Sequence, residues 1–103
     1  MKYEIIFAPE AIEDLHRLKA NLRSVVRDAI EDHLRREPTK TSRSRIKRLR
    51  GMRQPQYRLR VEDVRIFYDV TEEAVEILAI VHKDDADQWL DELGAPDEDS
   101  SVE

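Results

Sequence analysis

The chain has 103 residues, 40% of them hydrophobic and 40% charged, with a formal net charge of −5. A chain of this length makes one domain, which must be compact because it buries only about two-thirds of its unfolded surface. The absence of cysteine excludes a disulfide scaffold, a zinc–thiolate centre and thiol catalysis, and the short apolar runs exclude a membrane-spanning helix.

The opening stretch Met1-Lys2-Tyr3-Glu4-Ile5-Ile6-Phe7 lacks the apolar core and cleavage site of a signal peptide, so the expected location is the cytoplasm. Its β-branched and aromatic residues predict a strand over 2–7. Pro9 suits the first turn of a helix, with Glu10, Glu13 and Asp14 near its positive end. Ile12, Leu15 and Leu18 share a helical stripe, and Lys19-Ala20-Asn21 reads as a break. Leu22, Val25, Val26, Ala29, Ile30, His33 and Leu34 then line one face of a second helix, which Pro38 ends. This αα-hairpin has one apolar side and needs a sheet to cover it.

Residues 39–43 read as a basic linker, after which the period changes to two. Strands are predicted over 45–49, closed by Gly51, and over 57–61, 64–70 and 75–81. Glu62-Asp63 and Thr71-Glu72-Glu73 are short enough to join antiparallel neighbours. Val75-Glu76-Ile77-Leu78-Ala79-Ile80-Val81 is apolar almost throughout, as expected of a strand covered on both faces. Asp84 and Asp85 are placed to cap a short last helix carrying Trp89, Leu90 and Leu93, with Gly94 and Pro96 stopping it. Residues 95–103 are acidic, nearly free of hydrophobes and expected to be a disordered tail to a domain of residues 1–94. The expected class is α+β: β-α-α-β-β-β-β, an αα-hairpin packed on a mostly antiparallel sheet, and a short C-terminal helix.

The charge is segregated. Residues 84–103 hold nine acids and no base, whereas residues 35–60 hold eleven Lys or Arg against the single acid Glu37. The local field, not the average, decides what binds. In the strand over 57–61, Tyr57, Leu59 and Val61 alternate with Arg58 and Arg60. In the next, Val64, Ile66, Tyr68 and Val70 alternate with Arg65, Phe67 and Asp69. A two-residue turn at Glu62-Asp63 sets Val61 against Val64, Arg60 against Arg65 and Arg58 against Phe67. Like charges directly opposite one another are unfavourable in a sheet, and an anion between them relieves the repulsion. Guanidiniums hold phosphate bidentately and a ring can stack a base, so the set fits a nucleotide. The alternative reading of the same pattern is a solvated charged face. Arg43, Arg45, Lys47, Arg48, Arg50 and Arg53 form a second basic set, either a solvated arm or a tract that follows a phosphate backbone. His82 and Lys83, at the end of the strand over 75–81, are candidates for acid–base work. His16 and His33 read as packing residues, and the three scattered histidines give no metal-ligand spacing. No metal or cofactor is expected.

Arg48-Leu49-Arg50-Gly51-Met52, followed by Tyr57-Arg58-Leu59-Arg60 and Val64-Arg65-Ile66-Phe67-Tyr68, resembles the RelE/ParE toxins of type II toxin–antitoxin systems. The likeness runs over about residues 2–83 and includes the order of elements. It implies a ribosome-dependent mRNA endonuclease if RelE-like, or a gyrase poison if ParE-like. It also implies a cognate antitoxin, and a toxin–antitoxin complex that represses its own operon by binding operator DNA. The RelE-like basic pair falls on Arg58 and Arg60, and the next essential arginine on Arg65. Arg45, Lys47, Arg48, Arg50, Arg53 and Phe67 are then expected to contact RNA, with His82 and Lys83 beside the reaction. RelE-like toxins carry a further Arg and a Tyr after the last strand, where an ungapped alignment sets Asp84 and Leu90. This departure keeps a second expectation alive, a catalytically weakened member acting as an antitoxin-binding co-repressor.

Overall fold

The structure is a computed structural model, and residues 1–97 are described. The chain begins with β1 (Glu4–Phe7), α1 (Pro9–Arg17) and α2 (Ala20–Leu34). It continues with β2 (Ile46–Arg48), β3 (Met52–Gln54), β4 (Tyr57–Val61), β5 (Val64–Val70) and β6 (Ala74–His82), and closes with α3 (Ala86–Leu93) and β7 (Ala95–Pro96). The expected α+β order holds, with two short strands, β3 and β7, that the sequence reading missed. β1 is shorter than expected. The inter-helix break falls at Leu18-Lys19 rather than at residues 19–21, because Arg23 reaches back to close α1. Its Nε donates to the Leu15 carbonyl (3.2 Å), and Nη2 to the carbonyls of His16 (3.1 Å) and Leu18 (2.9 Å). A cation on these orphan acceptors also opposes the helix dipole.

The main sheet runs β1-β6-β5-β4-β2. β1 pairs parallel with β6, and the other pairings are antiparallel. The αα-hairpin covers one face. Leu15, Val26, Ile30 and Leu34 from the helices meet Leu59, Ile66, Tyr68, Ile77 and Ile80 from the sheet. This is the face that the alternation in β4 and β5 assigns to apolar residues. The buried Tyr68 hydroxyl donates to the Pro38 carbonyl (2.6 Å), which ties the segment after α2 to the sheet.

On the opposite face, α3 lies over part of the sheet, and β3 and β7 pair beside it. β6 carries a bulge that leaves Leu78 without a partner, since Phe67 opposes Ala79 while Tyr68 opposes Ile77. Past the end of β1, the Ile80 amide donates instead to Asp14 Oδ2 of α1 (3.0 Å), so the buried amide stays satisfied. The buried Asp69 carboxylate accepts from Gln54 Nε2 and from the Gln56 amide, both at 2.8 Å, and so holds the β3–β4 corner. The expectation of disorder from residue 95 is corrected for residues 95–97. β7 pairs with β3, and the Asp97 amide donates to the Gly51 carbonyl at 2.8 Å. Residues 98–103 of the expected tail lie outside the described residues. Among the described residues, no helix is long and apolar enough to cross a membrane.

Candidate nucleic-acid interface

The β4–β5 hairpin decides the site. Glu62 adopts φ +53°, the left-handed conformation that a two-residue turn between twisted strands requires. The turn fixes the register as Val61 to Val64, Arg60 to Arg65 and Arg58 to Phe67. Leu59, Val61, Val64 and Ile66 face the helices, so Arg58, Arg60 and Arg65 share the other face. None of the three makes an ion pair among the described residues. Arg65 Nη1 donates to the carbonyls of Glu62 (3.0 Å) and Val64 (3.1 Å), which steadies the turn. Arg58 is half-buried, and its Nε is shut off from solvent without a hydrogen-bond partner. Burial, then the positive charges of Arg65 and Arg60, hold its guanidinium pKa below the ordinary value. A like-charged cluster with an unsatisfied donor is energetically unfavourable in the free protein and complementary to an anion.

The edge strand adds to this face. Lys47 stands directly across from Arg58. The Arg60 amide donates to the Arg45 carbonyl at 2.8 Å, which carries the ladder one residue further and sets Arg45 across from Arg60. Two of the expected RNA contacts therefore join the arginine cluster. The signal was available in the sequence as a period of two over 45–49, but the register of that strand was not.

Other expected site residues lie elsewhere. Phe67 is corrected as a base-stacking ring. It is 1% exposed, and Trp89 of α3 stacks on it with centroids 5.1 Å apart and planes inclined by 14°. Arg48 pairs with Tyr57 on the helix side of the sheet. Its guanidinium donates to the carbonyls of Leu49 (3.0 Å) and Gln56 (2.8 Å) and lies 5.4 Å from the centre of the Tyr57 ring. It serves the β2–β4 connection and is separated from the cluster by the sheet. Arg50 is exposed in the turn before Gly51, which has φ +74°, and Arg53 is exposed on β3. Neither lies on the strands that carry the cluster.

His82 opposes Val64 and so belongs to the helix side of the sheet. Its Nδ1 accepts from the Asp84 amide at 3.1 Å, and caps the single 3-10 turn Lys83–Asp85. The expectation that Asp84 and Asp85 cap the last helix is corrected accordingly, because the imidazole takes that role and Asp85 makes no side-chain cap to α3. Lys83 Nζ lies 3.4 Å from Asp63 Oδ1. His82 is therefore not brought onto the arginine face, whereas the Lys83 amide donates to the Asp63 carbonyl at 2.7 Å, which continues the ladder one residue past His82 and sets Lys83 on the Arg65 side of the sheet. Among the described residues, no group of acidic or histidine side chains has the arrangement of a metal site.

The family described as "ParE toxin of type II toxin-antitoxin system, parDE" matches residues 5–87. The fold is similar to solved toxin–antitoxin complexes. A chain of the RelB–RelE complex from Methanococcus jannaschii aligns with TM-score 0.62 and 20% identity, over 82% of this chain and 96% of that one. A chain of the RelBE2 complex from Mycobacterium tuberculosis aligns with TM-score 0.61 and 26% identity, over 80% and 99%. A chain of the RelE–RelB complex from Pyrococcus horikoshii OT3 gives TM-score 0.66 and 22% identity, over 81% and 97%. No curated protein sequence matches the chain.

Proposed function

The chain belongs to the RelE/ParE family of type II toxin–antitoxin toxins, and from that premise we propose that it is a RelE-like endoribonuclease. In this reading it acts in the cytoplasm on mRNA held in the ribosome, and a cognate antitoxin silences it. The toxin–antitoxin complex binds operator DNA. What carries the reading is the register that sets Arg60 against Arg65 with Arg58 beside them, without carboxylate partners among the described residues.

The chemistry follows from the residue type. A ribose 2′-hydroxyl loses its proton to water and attacks the adjacent phosphorus, the bond to the 5′-oxygen breaks, and that oxygen takes a proton from water and leaves as a 5′-hydroxyl beside a 2′,3′-cyclic phosphate end. Arginine stays protonated, so these side chains do not take the hydroxyl proton. They bind the phosphate bidentately and stabilise the charge that grows on the phosphorane and on the leaving oxygen. Alignment of the hydroxyl falls to the ribosome, which supplies the entropic share of the acceleration.

Two features favour other readings. The matching family is described by its ParE member, which favours a gyrase poison. Asp84 and Leu90, at the positions of the RelE-like Arg and Tyr, favour a non-catalytic co-repressor. Induced expression separates the three. Growth arrest with cleaved mRNA, lost in Arg60→Ala and Arg65→Ala, is the expected result. A DNA-damage response with intact mRNA overturns it for the gyrase reading. No growth effect, with tight antitoxin binding, overturns it for the co-repressor. Arg60 is the cleaner variant, because Arg65 also holds the hairpin turn.

A further inference from the structure

The basic face is ordered as well as charged. Three adjacent strands, β2, β4 and β5, place cations in two cross-strand rows. Arg45, Arg60 and Arg65 form the first row, and Lys47 and Arg58 form the second, which ends at the covered Phe67. Within a row, neighbouring strands stand about 5 Å apart, and the rows are two residues apart along the strand, about 7 Å. One nucleotide of extended backbone spans that second distance.

The lattice is narrow. Beyond β5 the next strand offers Val81 and Ala79 at the same two levels, and beyond β2 the sheet ends. One phosphate backbone fits across it, and the second strand of a duplex meets no cation there. Arg45, Lys47 and Arg60 are exposed, whereas Arg58 and Arg65 are half-buried. A cleft of about 290 Å³ opens at the outer end of the first row, lined by Ser44, Arg45, Arg60 and Glu62.

We propose that the two rows bind two consecutive phosphates of one extended RNA strand lying along β4, with Arg45 serving one phosphate and Lys47 the next. The inference rests on the polynucleotide reading above and adds the register of the ligand. It makes Arg45 and Lys47 binding residues with different addresses, where the sequence offered only an undivided basic tract. Each row joins an exposed cation of the edge strand to a half-buried arginine, so each phosphate is held from two sides.

The test is a binding cycle on a trinucleotide with two phosphodiesters and 2′-O-methyl riboses, which 2′ attack cannot cleave. Either linkage is replaced in turn by an uncharged methylphosphonate, and binding is followed by NMR titration. Wild-type protein is expected to lose about tenfold in affinity with either replacement, the equivalent of one charge-assisted hydrogen bond. Lys47→Gln and Arg45→Ala are each expected to lose about as much on the native ligand. Lys47→Gln then loses less than wild type when one linkage is neutralised, because only Arg58 remains in that row, and Arg45→Ala loses less when the other is neutralised. Equal sensitivity of both variants to both linkages means diffuse attraction and overturns the inference, as does tighter binding of a duplex of the same length. A protein that binds in this register yet cuts no mRNA overturns the nuclease reading alone. One that cuts mRNA but has no linkage preference overturns this inference alone.

Discussion

Phe67 and Trp89 stack with their ring centroids 5.1 Å apart, and this contact attaches α3 to the sheet. No residue of α3 is fully buried, so the helix depends on Trp89 and on the β3–β7 pairing that follows it. Trp89→Ala is expected to destabilise the protein by about 2–3 kcal/mol, since it removes a ring stack and uncovers Phe67. Hydrogen exchange should show the loss concentrated in residues 83–96. A uniform loss across the sheet would mean that α3 is part of the main cooperative unit.

Gly94 sits where a side chain has no room. A Cβ there would lie 2.5 Å from Met52 Cε and 2.6 Å from the Leu90 carbonyl oxygen. Met52 can move, but the Leu90 backbone cannot without unwinding the end of α3. Gly94→Ala is therefore expected to cost about 1–3 kcal/mol, read from urea denaturation. A neutral result would show that the β3–β7 clasp contributes little to stability.

Arg58 opposes folding. Its half-buried guanidinium has an unpartnered Nε and stands beside Arg60 and Arg65. Arg58→Met keeps the aliphatic stem and removes the charge, so it is expected to raise stability by about 0.5–2 kcal/mol and, if the proposed nuclease reading holds, to end mRNA cleavage. Urea melts paired with an induction assay test both halves, and a destabilised variant would mean that the cation is internally compensated.

Tyr68 carries a buried hydrogen bond at the centre of the sheet. Tyr68→Phe leaves the Pro38 carbonyl without its 2.6 Å donor and is expected to cost about 1–3 kcal/mol. In the folded protein, burial and the neighbouring Tyr57 raise the phenol's pKa, so the wild-type bond should persist under mildly alkaline conditions.

His33 gives stability a pH dependence. Burial first, and then the charge of Arg45, hold its pKa below the usual 6.5 in the fold, with Asp32 opposing them. The unfolded chain thus binds the proton more readily. Stability contributed by the neutral imidazole is present above pH 6.5 and declines as pH falls from there towards the lower folded value. Denaturation midpoints at pH 7.5 and 5.5 should differ more in wild-type protein than in His33→Gln. Glu31, held below its ordinary pKa by the Arg35 hydrogen bond, acts at lower pH, below 4.5, and is distinguishable by that window.

The sequence by itself determined the α+β order, the αα-hairpin, and the side of β4 and β5 on which Arg58, Arg60 and Arg65 lie, because side-chain alternation is a local property of the strand. It determined their pairing only on condition of a two-residue turn at Glu62-Asp63, and the structure supplies that turn. What only the tertiary structure decided depends on contacts between distant segments. Pairing of β2 with β4 brought Lys47 and Arg45 onto the arginine face and sent Arg48 to the other. Packing of α3 hid Phe67 beneath Trp89, and the phase of β6 put His82 on the helix side. The strands β3 and β7 are too short to mark a period, and form because residues some forty positions apart in the chain meet beside α3. Register across a long connection is set by the packing that the whole chain can satisfy at once, and no local pattern encodes it.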